Sequence, residues 1–153
     1  MKLVKFGDML TAEAGLIVHG CNAQGVMGSG VALAVKNKYP GAFHDYQAVV
    51  LETPHEERLG KIIVHEVKWN LYIINAITQD NFGRTEGTRY VNYKAVHKCF
   101  TQIAELSRSS NLQVHYPLIG AGLGGGDWAV ISDIIDSAFE NYQDVTRTLW
   151  LLE

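Results

Sequence analysis

Positive charge is scarce in this chain: Lys and Arg number 13 against 16 Asp and Glu, for a formal net charge of -3. Affinity for nucleic acid of any sequence comes mainly from clustered Lys and Arg that release counterions. The balance therefore argues against a nucleic-acid binder, and any bound anion must be held by something other than bulk charge. Cysteine is scarcer still. Cys21 and Cys99 have no CxxC spacing and no neighbouring His and Cys cluster, so neither a zinc site nor a redox pair is indicated, and both are expected as buried thiols. His44, His55, His65, His97 and His115 also lack ligand spacing and read as surface or strand positions. No apolar run approaches the ~20 residues needed to span a bilayer. The opening MKLVKFGDML lacks the apolar core and cleavage site of a signal peptide. A cytoplasmic location away from membranes is expected. Tandem repeats, low-complexity stretches and composition shifts that would mark a linker are missing as well.

What is present is a globular balance, 47% hydrophobic and 19% charged, over 153 residues. That length suits one domain, residues 1–153, able to bury a core without a metal or disulfide. Lys2 to Phe6 and the apolar run Gly15 to Asn22 read as strands, the second ending in turn formers. Glycines 25 to 30 follow, then VALAVKNKYP as a helix, with Ala42 to Leu51 continuing helical. Lys61 to Val67 and Leu71 to Ile77 read as strands about the turn Lys68-Trp69-Asn70, and the polar run DNFGRTEG from Asp80 as an exposed loop of the kind that lines sites. The apolar spacing from Tyr90 to Leu106 predicts a helix, closed by a turn from Ser107 to Asn111. LQVHYPLI reads as a strand, GAGLGGGD as a second glycine loop, WAVISDIIDSAFENY as a helix and TRTLWLLE as a terminal strand. Strands alternating with helices imply a mostly parallel sheet covered on both faces.

Strand, glycine loop, helix thus occurs twice, at 16 to 38 and 112 to 142. The first turn of a helix offers unpaired N–H groups and the positive end of the helix dipole, and glycine lets a phosphate come close to the backbone. One such loop is often only a tight turn. Two at equivalent places, beyond the carboxyl ends of strands, make a diphosphate cradle that needs no excess of Lys and Arg. Gly120, Gly122 and Gly125 also match GxGxxG, but only 28 residues follow Gly125, too few for the unit that a nicotinamide or flavin fold builds downstream. No GK[ST] occurs, which excludes a Walker loop.

The order of these pieces resembles the macro domain family over most of the chain. Gly7-Asp8-Met9 is similar to its opening motif, and Val18-His19-Gly20-Cys21-Asn22 to its Val-Asn-Ala-Ala-Asn strand. Gly28-Ser29-Gly30-Val31-Ala32 is similar to its Gly-Gly-Gly-Val-Ala, and Gly120-Ala121-Gly122-Leu123-Gly124-Gly125 to its second loop. Asn75-Ala76-Ile77-Thr78-Gln79 looks like its His-Ala-Val-Gly-Pro. The resemblance implies a three-layer α/β/α fold on a mostly parallel mixed sheet, and ADP-ribose or ADP-ribose 1''-phosphate as ligand, with no cofactor. It also implies that Asp8, with Met9 beside it, holds the adenine and that Asn22 contacts the distal ribose. Gly28, Ser29, Gly30 and Val31, with Ile119, Gly120, Ala121, Gly122, Leu123, Gly124 and Gly125, would hold the diphosphate and distal ribose. Asp8 and Asn22 each have a local alternative as turn residues bonded to their own backbone.

His19 stands where many members have Asn, and Met27 where many have His. His-x-Cys-Asn resembles the branch that includes ADP-ribose 1''-phosphate phosphatases and terminal ADP-ribose glycohydrolases. The glycohydrolases use a Lys and an Asp whose positions fall here on Ala76 and Gly124, which speaks against their lysine mechanism. The expected reaction is release of the 1''-phosphate from ADP-ribose 1''-phosphate. His19 would serve as acid or base, Asn22 would orient the ribose, and Asp127 would position water or polarise His19. Asp127 also stands where an N-cap for the helix at Trp128 belongs. Removal of ADP-ribose from a macromolecule, and plain ADP-ribose reading without catalysis, are the alternatives.

Overall fold

The computed structural model describes residues 1–152 and builds them around one six-stranded sheet. Strands β1 (Lys2–Phe6), β2 (Gly15–Asn22), β3 (Ile62–Lys68), β4 (Leu71–Gln79), β5 (Val114–Tyr116) and β6 (Arg147–Leu151) lie in the order β1-β6-β5-β2-β4-β3. Only the β3–β4 pair is antiparallel. Glu153, the last residue of the expected terminal strand, lies outside the described residues.

Helices α1 (Gly30–Lys38) and α2 (Pro40–Glu52) cover one face, and α3 (Tyr93–Ser110) and α4 (Trp128–Ala138) cover the other. The expected three-layer α/β/α arrangement is therefore what forms. β2 is buried along nearly its whole length because it is covered on both sides. Leu16 and Val18 join the cluster under α3 and α4, while Ile17 and Cys21 join the clusters under α1 and α2.

Several boundaries differ from expectation for local reasons. α3 starts at Tyr93 because the N–H groups of Tyr90 and Val91 donate to the Gly124 carbonyl, at 2.7 and 3.0 Å, and the Asn92 side chain caps the helix by accepting from the Ala95 N–H. It then runs through Ser110 and stops at Asn111, φ 58, so the expected turn is its last turn. β5 keeps only three residues of LQVHYPLI; Pro117 follows and has no N–H to give the ladder. α4 ends at Ala138 rather than extending to Tyr142.

With β1, β2, β4, β5 and β6 in one parallel block, the carboxyl ends of β1, β2, β4 and β5 bring four loops to the same edge of the sheet, beside the end of β6. In open α/β sheets that edge is where ligands bind.

Candidate functional site

A cleft of about 780 Å³ opens at this edge. It runs from the β6 end, where Trp150, Leu151 and Leu152 line it, across the loops after β5 and β2, to the β4 end at Thr78, Gln79, Phe82, Gly83 and Arg84. One end is apolar and the other polar.

The first glycine loop is held by Asn22. Its Oδ1 accepts from the Gln24 and Val26 N–H groups at 2.9 and 3.4 Å, and its Nδ2 donates to the Val26 carbonyl at 2.8 Å. Buried Tyr46 on α2 donates its hydroxyl to the Asn22 carbonyl at 2.6 Å and accepts from the Gly25 N–H at 3.1 Å. Burial pushes that phenol far above its ordinary range, so it stays a donor. The amides of Gly28 and Ser29 are left without an acceptor among the described residues, and those of Gly30 and Val31, in the first turn of α1, have no intrahelical partner. Ser29 caps α1 without a side-chain hydrogen bond, which keeps its hydroxyl free.

The second loop folds on itself. The N–H groups of Gly125 and Gly126 donate to the carbonyls of Gly122 and Gly120 at 3.1 and 2.8 Å, and the Gly124 carbonyl takes the two amides from the start of α3's loop. Those contacts leave the amides of Gly120, Gly122, Leu123 and Gly124 without an acceptor among the described residues. A Cβ on Gly124 would stand 2.6 Å from the Gly120 carbonyl oxygen, so this loop conformation has no room for a side chain there. Two sets of residues with unpaired amides thus line one cleft. The charge around them is sparse: Arg84 is the one charged side chain lining the cleft among the described residues.

Of the residues expected to bind, Asn22, Gly28, Ser29, Gly30, Val31, Ile119, Gly120, Ala121, Gly122, Leu123 and Gly124 line the cleft. Gly125 lies behind it, against Thr88. Met9 is buried in the core with Leu10 and Trp150 rather than lining the cleft. Asp8 is exposed and caps a 3-10 turn (Met9–Thr11) by accepting from the Leu10 N–H at 2.9 Å. It follows Gly7, whose N–H donates to the Leu151 carbonyl at 2.9 Å, so it sits beside the apolar end of the cleft.

The residues expected to carry proton transfer are not brought together. Alternation along β2 turns His19 toward α2, where it is fully buried and lines no cleft. Its Nε2 meets Asn75 Oδ1 at 2.6 Å, and Asn75 Nδ2 donates to the carbonyls of Ala42 and Ile63. Because that Nδ2 is committed to carbonyls, Oδ1 must accept and His19 must carry its hydrogen on Nε2. Burial lowers the imidazole to about 4, against the smaller opposite effect of Asn75. Neutral, dry His19 is a poor acid or base for a ligand. Asp127 takes its other expected role and caps α4, accepting from the Ala129 N–H at 2.9 Å.

Sequence reasoning missed Thr78, Gln79, Arg84, Leu151 and Leu152 as lining residues, and Trp150 is both core and cleft wall. The polar glycine-punctuated run from Asp80 was the signal for Arg84. Ala76 is the position matched to the glycohydrolase lysine. Ala76 is fully buried under α3, whereas on β4 it is Gln79, beside Thr78, that reaches the cleft. Cys21 and Cys99 are buried free thiols, as expected. Among the described residues no three His, Cys, Asp or Glu side chains come together as a metal site would require, and no helix is long and apolar enough to cross a membrane.

The Macro domain family model matches residues 18–135. A DNA ADP-ribosyl glycohydrolase of Mycobacterium tuberculosis is 30% identical over 147 residues, covering 94% of this chain and 40% of that protein. The chain therefore spans well under half the length of that relative. An ADP-ribose 1''-phosphate phosphatase of Aspergillus clavatus is 30% identical over 176 residues, covering 86% of this chain and 87% of that protein. Among solved structures, the macrodomain of Mycobacterium tuberculosis DarG superposes with a TM-score of 0.82 at 27% identity, covering 98% of this chain and 97% of that one.

Proposed function

The chain belongs to the macro domain family, and from that premise we propose that its cleft binds ADP-ribose and hydrolyses ADP-ribose 1''-phosphate to ADP-ribose and inorganic phosphate. The observation that carries this reading is the pair of loops with unpaired amides facing a cleft whose one charged side chain among the described residues is Arg84. A diphosphate is satisfied by main-chain donors of this kind without an excess of cations. The apolar end at Trp150, Leu151 and Leu152, with Asp8 beside it, suits the adenine. The distal ribose then falls beside Asn22 at the β4 end, where Arg84 supplies one further positive charge. A ligand with an anionic group beyond the ribose uses that charge; plain ADP-ribose does not.

In the proposed reaction a water oxygen attacks phosphorus, the bond from phosphorus to the 1'' oxygen breaks, and the ribose oxygen leaves with the proton that the attacking water gives up. Arg84 and loop amides stabilise charge on the phosphoryl oxygens, preorganised donors in a site of restricted water being worth far more than in bulk solvent. Asn22 acts through the loop it holds. His19, buried under α2, is outside this scheme.

Hydrolysis of ADP-ribose from a modified macromolecule is the second reading, and the open polar end of the cleft favours it. The crowding at Gly124, which leaves no room for an aspartate side chain, and the lack of a lysine among the described residues lining the cleft count against the lysine and aspartate route. Separate incubations with ADP-ribose 1''-phosphate and with an ADP-ribosylated oligonucleotide decide between them. Phosphate release from the first is expected. Release of ADP-ribose from the second alone would replace the phosphatase reading, and tight binding with no turnover of either would make the protein a reader. Arg84→Gln is expected to weaken binding of the 1''-phosphate about tenfold, a lost charge-assisted contact, and to leave ADP-ribose within about threefold. Equal loss for both ligands would remove Arg84 from phosphate recognition.

A further inference from the structure

We propose that Thr78, at the carboxyl end of β4, is a specificity-determining residue that reserves its hydroxyl for the sugar end of the ligand. The inference rests on the ADP-ribose reading of the cleft. Thr78 Oγ1 is the one buried side-chain polar atom without a hydrogen-bond partner among the described residues. The residue is 1% exposed and lines the cleft with Asn22 and Arg84. Leaving a buried hydroxyl unpaired costs more than a typical hydrogen bond gains, so such a group in a native site calls for a partner that arrives from outside.

The neighbouring strand is shaped to leave that hydroxyl its space. Gly20 of β2 faces Thr78, and a Cβ at Gly20 would stand 2.9 Å from Thr78 Oγ1 and 3.0 Å from the Ile119 side chain. An alanine at 20 would force the hydroxyl or Ile119 to move. Glycine there and threonine at 78 form one unit: the missing methyl makes the room, and the hydroxyl together with Ile119 fills it. Ile119 adds an apolar wall, so the hydroxyl is held in a low-dielectric setting where a hydrogen bond to a sugar hydroxyl or to the 1'' oxygen counts for more than at the surface. Its place on β4 puts it at the polar end of the cleft, away from the end walled by Trp150. It therefore reads the ribose and not the base or the diphosphate.

The test uses Thr78→Val, which keeps shape and removes the hydroxyl, and Thr78→Ser, which keeps the hydroxyl. Each is measured by calorimetric titration with ADP-ribose and with ADP, which lacks the distal ribose, and by thermal unfolding without ligand. Thr78→Val is expected to lose about tenfold in ADP-ribose affinity, with ADP unchanged and the unliganded melting temperature unchanged or raised. Thr78→Ser is expected to bind ADP-ribose within about threefold of the wild type. Unchanged ADP-ribose affinity in Thr78→Val overturns the assignment, as does equal loss for ADP and ADP-ribose. A lowered melting temperature without ligand would also overturn it, by showing that the hydroxyl already has a structural partner. Failure of the ADP-ribose reading itself would show earlier, as a wild-type protein that binds neither ligand or binds both equally, and would take the Thr78 assignment with it.

Discussion

Protonating His19 would place a cation in the core between β2 and α2, with its Nε2–H already spent on Asn75 and only the Cys21 sulfur, 3.8 Å away, near Nδ1. The imidazole therefore resists protonation down to about 4, from an ordinary value of 6.5. In the unfolded chain it takes up a proton near 6.5, so between these values the unfolded state binds more protons than the folded one. Stability then falls as pH drops from 6.5 toward 4 and changes no further from this group below that. The contribution is on the order of 3 kcal/mol. His115 is lowered by burial in the same direction and adds to the loss below 6.5. Urea unfolding followed from pH 7.5 to pH 4 should show a steep loss in the wild type and a flatter one in His19→Asn, whose side chain cannot titrate. At pH 7 the variant should release phosphate at the wild-type rate per folded molecule. Identical pH slopes would show that His19 does not control acid stability; lost turnover in folded His19→Asn would return it to the chemistry.

At the scale of the element, the second glycine loop is the piece most constrained by its own backbone. Gly125 has φ +70, and a Cβ there would stand 2.4 Å from the Thr88 carbonyl oxygen. The loop from Asp80 to Tyr90 must yield before any side chain fits, and that loop carries Phe82 and Arg84 into the cleft. Gly125→Ala is expected to cost about 1–3 kcal/mol in stability, from strained backbone and displaced contacts. It should also weaken binding of the 1''-phosphate by more than it weakens ADP-ribose, because Arg84 moves with the loop. A variant of unchanged stability would show that the two loops are not coupled. This loop was legible in the sequence because its function lies in glycine itself, which marks where the backbone must turn or be approached. The place of His19 was not. Which face of β2 it takes depends on the alternation that sends Ile17 and Cys21 under α1 and α2, and that is set by how the helices pack. That Ala76 is closed off from the cleft was hidden for a related reason. Its short apolar side chain marks a core position under α3, and only the full length of β4, to Gln79, shows which residues reach the cleft.

At the scale of the molecule, the cleft lies where two separately packed layers meet. The loop after β2 is tied to α2 through Tyr46 and Gln47, while the loop after β5 is tied to the start of α3 through the Gly124 carbonyl. The main cluster under α3 and α4 and the clusters under α1 and α2 meet at the sheet, and the loops above it are the parts left with unpaired donors. A diphosphate that accepts from both loops joins the two layers through bonds that the unfolded chain cannot make. Ligand that binds only the folded form stabilises it by about 2.7 kcal/mol at a hundredfold excess over Kd. For a domain of about 150 residues that corresponds to a rise in melting temperature of roughly 5–10 °C. Thermal unfolding with ADP-ribose should show a rise of this size at that saturation, growing with the logarithm of ligand concentration. NAD at matched concentration should give less, since its nicotinamide must be placed at the polar end beside Arg84, where a neutral or anionic group fits better than a cationic ring. A larger rise with NAD than with ADP-ribose would favour a dinucleotide site, and no rise with ADP-ribose at millimolar concentration would remove the ligand from this cleft altogether.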